Sequence, residues 1–325
     1  MTTRRELIIA SGAWAAFATA RAYSQSAKAL PRIGVLSPFN SSADVFRDAF
    51  SQHLRELGYV AGRNIQAEYR AAEGMPDRLP QLAIELVRLK VDAIVTTTAP
   101  GAQAAKQATT TVPIIIAGVD DAVEQGFVSS LARPTGNITG LSWLNTELSA
   151  KRVELLKRTL PDASRIAYLR DAVGAATSLR ASEAAARALG IHLVVMEVRA
   201  PNEIDGVLAA LARERVGALM VAQGAILSAE EPRIVALATK HRLPTIFEYR
   251  KAVEAGGLMS YGPKLVELYR RAADYAERIL RGAKPGDLPV EQPTSFELVI
   301  NLRTATALGV NIPQSVLAGA DDVIR

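Results

Sequence analysis

The sequence contains no cysteine and only three histidines in 325 residues. The absence of cysteine excludes disulfides, thiolate metal sites and a cysteine nucleophile, although it does not assign a cellular compartment. His53, His192 and His241 are scattered, and none falls near a serine nucleophile or a second metal ligand at suitable spacing. The Gly-x-Ser-x-Gly, Walker A and Gly-x-Gly-x-x-Gly motifs are also missing. These absences favour a binding protein over an enzyme and predict no cofactor and no bound metal.

The chain also lacks an apolar run long enough to span a bilayer. The apolar run near the N-terminus covers only residues 8–20, whereas a transmembrane helix needs ~20 residues. Arg4 and Arg5 precede this run, and Ala20-Arg21-Ala22 matches the small-x-small cleavage rule. We predict that residues 1–22 are a signal peptide of the twin-arginine or secretory type, cleaved before Tyr23. The mature protein would then lie in the periplasm with no membrane span; the alternative is an uncleaved N-terminal anchor.

Charge of one sign is not concentrated anywhere in the chain. The formal net charge is +5 and falls to +3 when residues 1–22 are removed, because they contain three arginines and one glutamate. The densest basic cluster, within residues 270–281, is interleaved with Asp274 and Glu277 on one predicted helix. Such interleaving is typical of a solvated helix face, so we predict no nucleic-acid partner.

What the sequence does contain is a regular alternation of short apolar strands and amphipathic helices. This alternation predicts parallel sheets with right-handed crossovers. The run Ile114-Ile115-Ile116-Ala117 predicts a strand buried on both faces, followed by a turn that buries Val123, Phe127 and Val128. The strand–helix rhythm restarts after Glu147.

Two similar halves predict an α/β protein with two Rossmann-like lobes arranged as a clamshell. We place the N-terminal lobe at residues 31–144 with about 262–284, and the C-terminal lobe at residues 145–261 with about 285–325.

In an open parallel sheet, ligands bind beyond the carboxyl ends of the strands. Ser37, Phe39 and Asn40 follow the first strand, where hydroxyl, amide and backbone N–H groups suit a carboxylate and the ring provides an apolar wall. The alternative for them is a turn bonded to its own backbone. Thr97 and Thr98 precede a predicted helix, which favours an anion site, although Thr98 also suits the role of helix cap.

Asp120 lies at the tip of the next strand and is our candidate for binding a ligand ammonium. Asp121 fits the cap of the following segment better. Asn145, at the crossover between the halves, either reaches the ligand or satisfies the backbone of the hinge.

Several segments resemble one known family: RELGYVAGRNIQAEYRAAEGMPDRLPQLAIELVR (residues 55–88), LARPTGNITG (131–140), EAGGLMSYGP (254–263) and GAKPGDLPVEQPTSFELVINLRTATALG (282–309). The chain is similar over nearly its whole length to ABC-transporter substrate-binding proteins of the tryptophan/tyrosine-binding-like family. The resemblance implies a type I periplasmic binding protein fold, with two lobes joined by three hinge crossovers. It also implies that the protein hands a small solute to an inner-membrane ABC permease.

The strand ends of the second half supply the opposite lip of the cleft: Arg170, Gln223, Tyr249 and Tyr261. Members of the family commonly carry an Asn-Pro-like pair near position 170 and an acidic-proline pair near 223, where this chain has Arg170-Asp171 and Gln223-Gly224. Arg170 either grips a second ligand carboxylate or pairs internally with Asp171 or Glu197. The changed charges leave the ligand open between aromatic amino acids and other acids.

These observations predict a monomeric periplasmic receptor of an ABC importer. It would capture a small amino-acid-like or carboxylate-bearing ligand between its lobes by hinge closure. The alternative is a periplasmic sensing subunit that reports the same closure to a membrane signalling protein. A sugar-responsive repressor of this fold is disfavoured, because an export signal rather than a helix-turn-helix precedes residue 31.

Overall fold

The computed structural model describes residues 30–38, 45–143, 145–172 and 176–325. Within them, strands and helices alternate and form two separate sheets, one of five strands and one of seven. Phe39 and Asn40, both predicted as ligand-binding residues, lie outside the described residues. The predicted signal peptide lies outside them as well.

The first sheet has the strand order β2-β1-β3-β4-β5, and every neighbouring pair is parallel. Its strands are β1 (Arg32–Ser37), β2 (Gln66–Ala71), β3 (Ala93–Thr96), β4 (Ile114–Asp120) and β5 (Ile138–Trp143). The helices between them are α1 (Val45–Glu56), α2 (Leu79–Arg88) and α3 (Ala99–Ala108). The predicted burial of β4 on both faces is confirmed, since Ile115 packs in one core cluster and Ile114 and Ile116 in the other.

The second sheet has the order β12-β11-β10-β9-β8-β6-β7. Its strands are β6 (Arg165–Asp171), β7 (His192–Val198), β8 (Ala218–Val221), β9 (Thr245–Phe247), β10 (Met259–Pro263), β11 (Phe296–Asn301) and β12 (Asp322–Ile324). Strands β10 and β11 pair antiparallel, and the other neighbours are parallel.

The remaining helices are α4 (Asn145–Thr159), α5 (Ala176–Ala188), α6 (Ile204–Arg213), α7 (Ala225–Ala229), α8 (Glu231–Lys240), α9 (Arg250–Glu254), α10 (Leu265–Leu280), α11 (Leu302–Leu308) and α12 (Gln314–Leu317). In the part of the chain that the structure describes, no helix combines the length and the apolarity required to cross a membrane.

Helix α10 comes late in the sequence but packs on the first sheet. Tyr269 and Tyr275 of α10 are buried in the same core cluster as Ile33 and Phe46. The ring of Tyr269 meets that of Phe46 edge-on, with an interplanar angle of 86° and the ring centroids 5.1 Å apart. This is a favourable arrangement for an aromatic pair. The chain therefore returns from the second sheet to complete the first lobe.

The segment that follows α10 extends the first sheet at its β5 edge. The Thr139 hydroxyl donates to the carbonyl oxygen of Leu288 at 2.8 Å. The backbone N–H of Ser142 donates to the carbonyl oxygen of Glu291 at 2.9 Å. The chain then reaches β11 in the second sheet. It thus passes between the sheets three times, near residues 143–145, 263–265 and 291–296, and the predicted two-lobed α/β fold with three crossovers is confirmed.

Two adjustments to the predicted lobe boundaries follow. Residues 262–263, predicted in the N-terminal lobe, belong to β10 of the second sheet. Residues 285–291 were assigned to the C-terminal lobe, yet their hydrogen bonds run to β5. We propose a first lobe of residues 30–143 with 265–291 and a second lobe of residues 145–263 with 296–325.

The turn predicted after β4 is present, but one of its side chains is not buried as expected. Residues 121–126 form consecutive turns, and Asp121 adopts a positive φ of 37°. The predicted burial of Val123 is wrong, because its side chain is 41 % exposed, whereas Phe127 and Val128 are buried as expected. A helical spacing of apolar residues predicts one buried face only where the backbone is helical.

Candidate ligand-binding site

A cleft with a volume of about 1080 Å³ lies at the carboxyl ends of the strands of both lobes. Six of the predicted site residues line it: Thr97, Thr98, Asp120, Asn145, Arg170 and Gln223. They come from β3, β4, β6, β8 and the first crossover, so the two sheets bring together residues far apart in sequence. This volume suits a small molecule of amino-acid size or somewhat larger.

Three other predicted residues are not part of the cleft wall. Ser37 is buried at the end of β1, directly before Pro38, which does line the cleft. Tyr261 packs in the second-lobe core, with its ring centroid 6.4 Å from that of Phe296. Tyr249 lies behind the wall and donates its hydroxyl to Gln223 Oε1 at 2.9 Å.

On the first lip, Thr98 caps helix α3. Its hydroxyl oxygen accepts from the backbone N–H of Gly101 at 3.3 Å, and its own backbone is extended, as expected of a cap residue. Thr97, Thr98 and Ala99 all line the cleft. The N-terminus of α3 therefore opens toward the cleft and provides partial positive charge for an anionic group.

Asp120 reaches the cleft through an irregularity in β4. The register of β4 with β5 shifts between Ala117 and Val119, so Gly118 is an extra residue, and its φ is +104°. Such a bulge changes the direction of the side chains that follow it. A β-carbon on Gly118 would lie 2.5 Å from Cζ2 of Trp143, so only glycine lets the ring and the strand approach this closely.

The carboxyl group of Asp120 is poorly compensated. Its Oδ1 atom is buried and has no hydrogen-bond partner among the described residues. Burial raises the pKa of Asp120 to about 7, with further contributions from the negative charges of Glu248 and Asp121. The charge of Arg152 and the backbone N–H of Asn145 act in the opposite direction. A cation entering the cleft would supply the charge that this group lacks.

Asp121 is engaged locally. Its Oδ1 accepts from the backbone N–H of Glu124 at 3.1 Å, three residues on. This agrees with its predicted role as a cap.

Next to Asp120 lies a buried ion pair that the sequence analysis missed. Arg152 of α4 is 1 % exposed and Glu248, directly after β9, is 6 % exposed. Arg152 Nη1 donates to Glu248 Oε1 at 3.1 Å. A sequence signal was present, because Arg152 stands on the same helix face as the buried Leu148, Ser149 and Leu156, where a charge is rarely placed without a partner.

Trp143 and Tyr168 provide aromatic surface in the cleft, and neither was predicted. Trp143 ends β5, and its ring centroid is 6.0 Å from that of Tyr249 across the lobes. Tyr168 is almost fully buried in β6, and burial raises the pKa of its hydroxyl well above the ordinary range, so it remains a neutral donor.

On the second lip, Arg170 forms the internal pair that was one of its two predicted alternatives. Its Nη1 is 3.7 Å from Glu197 Oε1, and its Nε donates to the carbonyl oxygen of Asp171. The Asp171 carboxylate accepts from the backbone N–H groups of Ile226 and Leu227 at 2.9 and 3.2 Å. A β-carbon on Gly224 would collide with that carboxylate, so the Asp171 and Gly224 pairing is one local structure.

The lobes also meet at the mouth of the cleft. Arg180 of α5 lies 3.4 Å from Glu124 of the first lobe, measured from Nη2 to Oε1.

Among the described residues, no group of three or more histidine, aspartate or glutamate side chains could hold a metal ion. None of the three histidines lines the cleft. The arrangement is therefore suited to binding a small molecule with a cationic group at Asp120 and an anionic group near α3.

Comparison with known proteins agrees with this geometry. A family model described as ABC transporter substrate binding protein matches residues 32–324. A tyrosine-binding protein from Clostridioides difficile (strain R20291) is 28% identical over 270 residues, which cover 82% of this chain and 77% of that protein.

Two solved structures are informative about conformation. The ABC domain from Streptococcus pneumoniae in complex with L-Trp superposes with a TM-score of 0.85 at 28% identity, covering 91% of this chain and 100% of that one. The ligand-free, open structure of a substrate binding protein with adhesive properties from Clostridium difficile superposes with a TM-score of 0.67 at 26% identity, covering 91% and 99%. The present structure is therefore more similar to the L-Trp complex than to the open structure.

Proposed function

The chain belongs to the ABC transporter substrate-binding protein family, and we propose that it is the exported solute receptor of an ABC importer, specific for an α-amino acid. In this proposal the mature protein begins at Tyr23, acts in the periplasm as a monomer and delivers its ligand to an inner-membrane permease. It binds its ligand without chemical conversion. The observation that carries the proposal is the buried, unpartnered carboxyl oxygen of Asp120 in the cleft wall.

The ligand's ammonium would bind Asp120. This carboxyl group is buried near Glu248, and the guanidinium of Arg152 pairs with Glu248 and also attracts the ionised form of Asp120. An ammonium placed there would restore the ionised form of Asp120 and form a charge-assisted hydrogen bond.

The ligand's carboxylate would bind at the N-terminus of α3, with Thr97 beside it. The side chain would then lie against Trp143 and Tyr168, whose rings suit an apolar or aromatic group. Two relatives support an aromatic amino acid, since one is described as a tyrosine-binding protein and the other is a complex with L-Trp. The primary candidates are therefore L-tyrosine and L-tryptophan.

Binding would stabilise the closed arrangement of the lobes. The higher similarity to the L-Trp complex than to the open structure supports the view that the present arrangement is closed. A ligand that contacts both lips favours this state by its difference in affinity between open and closed forms.

The first test is a titration of mature protein, residues 23–325, with L-tyrosine and L-tryptophan by isothermal calorimetry. Because the ammonium needs ionised Asp120, whose pKa is about 7, we expect affinity to fall by up to ~10-fold for each pH unit below 7 and to level off above it.

Binding near pH 7 should also release protons, so the measured enthalpy should change with the ionisation enthalpy of the buffer. Glycine serves as a control that keeps the ammonium and carboxylate but lacks the ring. Absence of binding by both aromatic amino acids would contradict the proposed ligand class, and a pH-independent affinity would contradict the role of Asp120.

The contact at the cleft mouth should contribute little. The Arg180 and Glu124 side chains are 62% and 51% exposed, and exposed ion pairs are weak and screened by salt. We expect Glu124→Gln to change the affinity for L-tryptophan by less than about threefold at ~0.15 M salt. Calorimetry at low and high salt checks this, and a tenfold loss would instead identify the pair as a latch for closure.

A further inference from the structure

We propose that Arg152 is the positioning residue of the binding site: its buried guanidinium joins two of the lobe crossovers to Glu248 and so holds Asp120 in place to receive a ligand cation. The inference rests on the proposed function, because it concerns the same ammonium position. Arg152 itself is not part of the cleft wall.

The guanidinium of Arg152 donates hydrogen bonds to residues both inside and outside helix α4. Nε donates to the carbonyl oxygen of Tyr261 at 2.8 Å. Nη1 donates to Glu248 Oε1 at 3.1 Å, and both Nη1 and Nη2 donate to Asn145 Oδ1 at 3.2 and 3.3 Å. Nη1 also donates to Ser149 Oγ at 3.3 Å, within the same helix. A guanidinium presents its donors in a rigid planar fork, so Tyr261, Glu248 and Asn145 are fixed relative to one another.

Two of these partners belong to the crossovers between lobes. Asn145 is the first residue of α4, directly after the first crossover, and its backbone N–H hydrogen-bonds to Asp120. Tyr261 lies in β10, shortly before the second crossover at residues 263–265. Arg152 therefore links the first and the second crossover through one side chain. It is connected to Asp120 through Asn145 alone.

The third partner connects the guanidinium to the second lip. Glu248 Oε1 also accepts from the backbone N–H of Gln223 at 3.2 Å, and Gln223 Oε1 accepts from Tyr249, whose ring lies against Trp143 of the first lobe. A continuous set of contacts thus runs from Arg152 through Glu248 and back to the first lobe.

The charges follow the same arrangement. Glu248 and Asp121 repel the negative form of Asp120, whereas Arg152 attracts it. Tyr168 and Tyr249 face the same group as neutral hydroxyls, and the positive charge of Arg170 also acts on Tyr168. Arg152 supplies one positive charge for the two carboxylates of Asp120 and Glu248. The group of three therefore keeps a negative charge that a ligand cation can neutralise.

The first experiment needs no ligand. The pKa of Asp120 is measured by carboxyl ¹³C NMR in mature wild-type protein and in variants. We expect Arg152→Met to move the titration of Asp120 to higher pH and Glu248→Gln to move it to lower pH. Arg158→Met is the matched control, because Arg158 is on the same helix but bonds to Ser315 at the surface. Its substitution should leave the titration of Asp120 unchanged.

The second experiment measures the binding of L-tryptophan and L-tyrosine at pH 8. Arg152→Lys keeps the charge but not the planar fork, and we expect it to weaken binding by about tenfold or more. Arg152→Met alone leaves Glu248 buried without its partner, so a double variant, Arg152→Met with Glu248→Gln, is included to preserve folding. We expect this double variant to melt near the wild-type temperature and still to bind at least ~10-fold more weakly.

The outcomes separate this inference from the proposed function. If wild-type protein binds neither amino acid, the proposed function fails, and the NMR titrations still decide whether Arg152 and Glu248 control Asp120. An Asp120 titration that moves in neither variant overturns the inference. A folded double variant with wild-type affinity for either amino acid also overturns it, because Arg152 would then be purely structural.

Discussion

Replacing Asp120 with asparagine should weaken the binding of L-tyrosine or L-tryptophan by ~10- to 150-fold, which corresponds to a charged hydrogen bond worth ~1.5–3 kcal/mol. Asparagine has nearly the same shape as aspartate but carries no charge, so the ammonium would lose its partner while the packing remains. Calorimetric titration at pH 8, where wild-type Asp120 is ionised, measures the loss. The variant should also lose the pH dependence of binding, since no group with a pKa of about 7 remains at that position.

The same substitution should stabilise the ligand-free protein. The pKa of Asp120 is raised from 3.8 to about 7 in the folded state. A carboxyl group whose folded pKa is raised binds its proton more tightly when folded, so its contribution to stability is lost as pH rises from about 4 to about 7. Each pKa unit corresponds to ~1.4 kcal/mol, and asparagine cannot ionise, so we expect a gain of about 2–4 kcal/mol at pH 8 and little gain near pH 4.

Denaturant unfolding of both proteins at several pH values measures this difference directly. Asp171 and Glu231 also have raised pKa values because of burial, but they are present in both proteins and cancel in the comparison. Asp121→Asn is the matched control, since asparagine can also cap the turn. A variant Asp120→Asn that binds as tightly as wild type, or a stability difference that does not change with pH, would show that this carboxylate does not meet the ligand.

Replacing Gly118 with alanine should destabilise the protein by about 2–4 kcal/mol. Part of this cost comes from the φ of +104°, which side-chain-bearing residues rarely adopt. The rest comes from overpacking, because the added β-carbon would lie 2.5 Å from Cζ2 and 2.7 Å from Cε2 of Trp143. Since Trp143 lines the cleft, its displacement should also weaken ligand binding.

Two further variants separate the causes. Gly118→Ala combined with Trp143→Phe should recover the steric part of the lost stability but not the part that arises from φ. Gly206→Ala is the control, because Gly206 lies within helix α6, a β-carbon there meets nothing within 4 Å, and alanine favours helix by ~1 kcal/mol. Denaturant unfolding of the set tests this, and a wild-type stability for Gly118→Ala would exclude a strained bulge at this position.

The parts of the fold that could be predicted from sequence are those in which local pattern and tertiary environment agree. Strand β4 was predicted correctly from its apolar run, because a strand that is buried on both faces does not alternate between apolar and polar residues. Helix α8 is preceded by a separate short helix, α7, and the two are divided at Glu230. Pro232 lies in the first turn of α8, where proline starts a helix rather than continuing one. The short strand β12 had too few residues to stand out.

The rule that ligands bind beyond the carboxyl ends of parallel strands predicted part of the cleft wall. It identified the right end of each sheet, and Thr97, Asp120 and Gln223 do line the cleft. It did not specify which way each side chain points, so Tyr261 was included although its ring packs in the core beside Phe296. The helix face of Arg152 indicated that the residue is buried, but not what it pairs with, because its partners Glu248 and Tyr261 are 96 and 109 residues away in sequence.

The return of helix α10 to the first lobe has a consequence for how the chain folds. The first five strands are made early, but the core cluster around Ile33 and Phe46 is closed only by α10, and the β5 edge only by residues 288–291. The second lobe in turn waits for β11 and β12, the last strands of the sequence. Each lobe therefore needs segments that are far apart in the sequence, and contacts of such long sequence separation slow folding.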